Sequence, residues 1–110
     1  MSDAVGSRVV AVLTTAPSAE EAKRIGGALV EERLAACANV VPGVVSIFRW
    51  KGAVSRESEA LMILKTTADA LDALTRRIVE LHPYEVPEVL HLAVRGGSER
   101  YLRWIGETTS

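Results

Sequence analysis

The fifteen residues 36–50, ACANVVPGVVSIFRW, decide the fold. Branched and aromatic side chains dominate the stretch, which fits a pleated strand, and Pro42-Gly43 suits a bulge rather than a stop. Lys51-Gly52 then supplies a turn, and Ser58–Thr67, SEALMILKTT, reads as the returning strand of an antiparallel hairpin.

Working outward, Val9–Leu13 is a continuous aliphatic run of the kind found in central strands. Thr14, Thr15 and Pro17 break it, and Ser18-Ala-Glu-Glu21 has the form of a capping box, so a helix is expected from Ala19 to about Leu34. Ala22, Ile25, Leu29 and Val30 form its apolar stripe. Leu71, Leu74, Ile78 and Leu81 keep helical spacing from about Ala68, with Thr67 or Asp69 as cap. Two prolines within His82–Glu88 forbid a regular element there; Val89–Val94 resumes as a strand, and Ser98 caps a short helix to about Ile105 ahead of a loose tail from Glu107. The order βαββαβ plus a terminal helix predicts an α+β, ferredoxin-like sandwich with both main helices on one face of an antiparallel sheet. With no linker or repeat, residues 1–110 read as one domain with an ordered core of about 8–106.

The hairpin is too long for this body. A helix over residues 19–34 spans about 24 Å, whereas fifteen extended residues span about 50 Å. The far half, carrying Val44, Val45, Ile47, Phe48 and Trp50, outruns the helices, and such an edge calls for another chain. A homo-oligomer is expected, and a closed ring uses up every edge. The alternative is a strand ending at Val41 with a loop from Pro42 onward.

Composition narrows the partners. The 110 residues carry 13 Lys+Arg against 14 Asp+Glu, a formal charge of -1, which gives no bulk field toward nucleic acid or an anionic membrane. The longest apolar run near the start, Val9–Leu13, falls short of the roughly 7–15 residues of a signal-peptide core and the ~20 of a membrane span. One cysteine, Cys37, allows no internal disulfide, and a cytoplasmic protein is expected.

Cys37 is the one soft ligand, suited to copper or zinc, yet its alanine neighbours equally suit a compact buried thiol. His82, directly after the second helix, either ligates a metal through a ring nitrogen or sits against the negative helix end. With His91 inside a strand, one chain has too few such donors for a closed four-ligand site, so ligands must converge from neighbouring copies or include carboxylates. Met62 reads as core. No GxSxG, P-loop or HExxH motif appears, so no enzyme is expected. The last strand, VLHLAV, lacks the aromatics of an RNA-binding sheet.

Four stretches in this order, EERLAACANVVPGVVSIFRWKG (31–52), MILKT (62–66), LHPYEVPE (81–88) and YLRWI (101–105), resemble the CutA family of divalent-cation tolerance proteins from about Val9 to Ile105. The resemblance implies ferredoxin-like protomers joined as a homotrimer through the long hairpin, a non-catalytic role in metal tolerance, and copper as the metal ion, with no organic cofactor. Some family members place copper ligands where Thr14 and Leu81 stand here, so only His82 carries over. Trp50, Glu59, Lys65, Tyr84, Glu85 and Glu88 resemble the family's recurrent polar and aromatic set. They form either an inter-subunit pocket for a small molecule or anchors and ion pairs of the interface. The alternative function is a trimeric small-molecule sensor with ligand pockets between subunits, like PII-type signalling proteins.

Overall fold

A computed structural model describes residues 8–109. Strand β1 (Val9–Ala16) leads into helix α1 (Ala19–Glu31). Strands β2 (Cys37–Trp50) and β3 (Ala53–Thr67) form the hairpin. A single 3-10 turn (Ala68–Ala70) opens helix α2 (Leu71–Leu81), followed by β4 (Leu90–Ala93) and helix α3 (Glu99–Thr108). The sheet is antiparallel in the order β2-β3-β1-β4, the ferredoxin-like arrangement expected from the element order.

Alternation along the strands divides the sheet into two unlike faces. Val10, Val12 and Ala16 of β1 and Ala60, Met62 and Leu64 of β3 are buried beneath Ala22, Ile25 and Leu29 of α1 and Leu74 and Ile78 of α2. On the other face, α3 covers one end only, closing over Val9 and Ala36 with Leu102 and Ile105. Among the described residues the rest of that face is bare: Leu90 and Leu92 pair with Leu13 and Ala11, which pair in turn with Ile63 and Lys65. Leu90 and Leu92 are 54% and 45% exposed.

Beyond the Ala16–Ala60 pair, Val44–Trp50 pairs with Ala53–Glu59 and, among the described residues, with no third strand. This overhang stretches the molecule to 49 × 25 × 23 Å. The register shifts between Val41 and Val44, where Gly43 takes φ 73°, so Pro42-Gly43 is a bulge within one long strand rather than the start of a loop. At the tip, Lys51 (φ 50°) and Gly52 (φ 83°) join Trp50 to Ala53 as a two-residue turn with both central residues left-handed.

Several boundaries differ from expectation. β3 begins at Ala53 rather than Ser58, because the tight turn and the partner strand enforce pairing on the polar Ser55-Arg56-Glu57-Ser58. α1 ends at Glu31 rather than Leu34, because Arg33 turns left-handed (φ 62°). The Leu34 amide then donates to Leu29 (2.9 Å) and the Arg33 amide to Val30 (3.0 Å), the paired bonds of a Schellman stop. Neither Thr67 nor Asp69 caps α2 through its side chain; Asp69 instead pairs with Arg8. The Glu21 amide donates to Ser18 Oγ (3.1 Å), yet the Glu21 carboxylate accepts from Arg24 (2.7 Å) rather than completing a capping box. α3 runs to Thr108, and Thr109 is buried, so the segment from Glu107 is not a loose tail.

Candidate functional site

The second connection of the fold lies against the overhanging arm. Arg24 of α1 donates to the Leu81 carbonyl (2.7 Å) and so ties α1 to the last turn of α2. His82 follows, 8% exposed, with Nε2 2.6 Å from the Thr15 carbonyl and Nδ1 3.1 Å from the Tyr84 amide. A carbonyl only accepts and an amide only donates, so the proton sits on Nε2 and both ring nitrogens are engaged. The His82 and Tyr84 rings lie 4.7 Å apart, which directs Tyr84 toward the hairpin. There its hydroxyl donates to Glu59 Oε2 at 2.5 Å. Burial, reinforced by the Glu59 carboxylate, pushes the Tyr84 phenol well above its ordinary value, so it stays protonated as the donor.

Loop and arm enclose a groove with two adjoining lobes of about 500 and 400 Å³. Phe48, Trp50, Tyr84 and Val86 line both; Glu57 and Glu85 face one, Glu59 and Glu88 the other. Phe48 and Trp50 point the same way as Glu57 and Glu59 because Phe48 pairs with Ser55, Trp50 with Ala53, and residues two apart share a face. Lys51 Nζ stands 5.9 Å from the centre of the Trp50 ring.

Of the six residues matched to the family set, Trp50, Glu59, Tyr84, Glu85 and Glu88 meet at this groove. Lys65 stands apart, about 20 Å farther along β3 by strand rise. Its Nζ lies 3.9 Å from Cys37 Sγ and donates to Asn39. Cys37 is free and half-buried on the bare sheet face. It does not meet His82: Cys37 is level with Lys65 and Ala11, whereas His82 contacts Thr15, about 13 Å along β1. Among the described residues, no three His, Cys, Asp or Glu side chains converge as metal ligands, so the donors of one chain do not fit a resident copper ion. His91 is elsewhere, with Nε2 2.9 Å from Thr75 Oγ1 of α2. Thr14 is buried in the core, as is Met62.

Sequence reasoning missed Glu57 and Phe48 as lining residues. Glu57 lies two positions before Glu59 and was legible by strand alternation once β3 extends to the turn.

The match to known proteins covers nearly the whole described chain. The family described as CutA1 divalent ion tolerance protein matches residues 10–108. A divalent-cation tolerance protein CutA of Thermus thermophilus is 51% identical over 98 residues, covering 89% of this chain and 95% of the relative. A chloroplastic CutA 1 protein of Oryza sativa is 43% identical and covers 91% of this chain, which spans only 56% of that relative's length. The solved structure of the Thermus thermophilus divalent cation tolerance protein superposes with a TM-score of 0.91 at 49% identity, covering 93% of this chain and 99% of that one. In sequence over residues 10–108, and in a backbone that keeps both the overhanging hairpin and the order of strands, this chain belongs to the CutA1 divalent ion tolerance protein family, a family of non-enzymatic tolerance proteins.

Proposed function

We propose that the chain works in the cytoplasm as a non-catalytic homotrimer in divalent-cation tolerance, and that copper or another soft metal ion is bound where copies meet. The observation that carries this reading is the bare apolar face of the sheet, continued into an arm on which Val45, Ile47 and Trp50 are 68%, 61% and 44% exposed. Apolar surface on this scale favours cover by further copies, and a ring of three closes both the β2 and the β4 edge. Within one chain the soft donor is Cys37, half-buried on that same face, whereas the nitrogens of His82 are already engaged. Metal bound through Cys37 therefore draws its remaining ligands from other copies. The lone free thiol supports a reducing compartment.

Calorimetric titration of the reduced protein with Cu(I) tests the metal half. Cys37→Ala should abolish the tight phase and His82→Ala should leave it. Identical isotherms for wild type and both variants would remove these side chains as ligands.

The groove favours a second reading, a trimeric small-molecule sensor. A cavity of several hundred Å³ walled by Phe48, Trp50 and Tyr84 and edged with carboxylates has the size and lining of a small-ligand site. Thermal shift against a metabolite panel tests it, because a ligand of the native state alone raises Tm.

A further inference from the structure

We draw no further inference here: the strongest candidate, the buried His82 imidazole clasped between the Thr15 carbonyl and the Tyr84 amide as an acid-sensitive latch on the loop, belongs to the site already described, at the position that the family resemblance carries over as a metal ligand.

Discussion

His82→Ala is the perturbation whose cost can be worked most directly from contacts. The imidazole holds the Thr15 carbonyl at 2.6 Å and the Tyr84 amide at 3.1 Å, and it is 8% exposed. Each hydrogen bond contributes about 1 kcal/mol net, and the aromatic contact with Tyr84 at 4.7 Å about another 1 kcal/mol, for a loss of about 3 kcal/mol. In a domain of this size that corresponds to a fall in Tm of about 12 °C at fixed protein concentration. The two bonds separate cleanly. His82→Gln can keep a donor near the position of Nε2, and His82→Asn an acceptor near Nδ1, so each should fall between wild type and alanine. The assay is thermal unfolding by far-ultraviolet circular dichroism, with Trp50 emission as a local probe of the loop. The reasoning fails if alanine melts within 2 °C of wild type, or if asparagine and glutamine are both as damaging as alanine.

Other consequences follow from separate parts of the molecule. Burial and Glu59 raise the Tyr84 pKa in the folded chain, so the native state binds that proton more tightly than the unfolded chain. The resulting stability is present below about pH 10 and is lost as pH rises toward the native value; pH-dependent denaturation should show an alkaline decline that Tyr84→Phe flattens. Leu92→Glu places a charge on the bare sheet face and should shift the protein toward single copies in sedimentation, whereas Val79→Glu, on the 51% exposed side chain of α2, should leave the mass unchanged. Within α1, Gly27→Ala meets nothing within 4 Å and should raise stability by about 0.5–1 kcal/mol. Gly26→Ala should lose that gain, since its Cβ would stand 3.0 Å from Ala38 Cβ and 3.1 Å from Met62 Sδ, and chemical denaturation of the pair reads the difference.

The fold was legible where periodicity and turn chemistry agreed. Val9–Leu13, the Pro42-Gly43 bulge and, of the α1 stripe, Ala22, Ile25 and Leu29 each carried a local signal that the tertiary structure kept; Val30 is exposed, and Gly26 completes the buried face in its place. What remained hidden was imposed from outside the segment. Ser55–Ser58 has poor strand composition and is extended because Val45–Phe48 pairs with it. Arg33 stops α1 in a conformation usually announced by glycine, and nothing in Glu31-Glu32-Arg33-Leu34 marks it. The candidate site was legible as a set of residues and less so as a geometry. Five of the six family-matched side chains meet because the arm and the proline-stiffened loop run together, but the register of β3 carries Lys65 to Cys37 instead. Sequence also left His82 open between metal and helix end; its bond to the Tyr84 amide is local, but its bond to the Thr15 carbonyl spans 67 residues, which no local pattern encodes.

The central claim is that the bare sheet face and the overhanging arm are completed by other copies of the chain. Sedimentation equilibrium from low micromolar concentration upward is its most direct test. The account predicts a mass of three chains across that range. A single 11.8 kDa species at low micromolar concentration that still melts in one cooperative transition would contradict it.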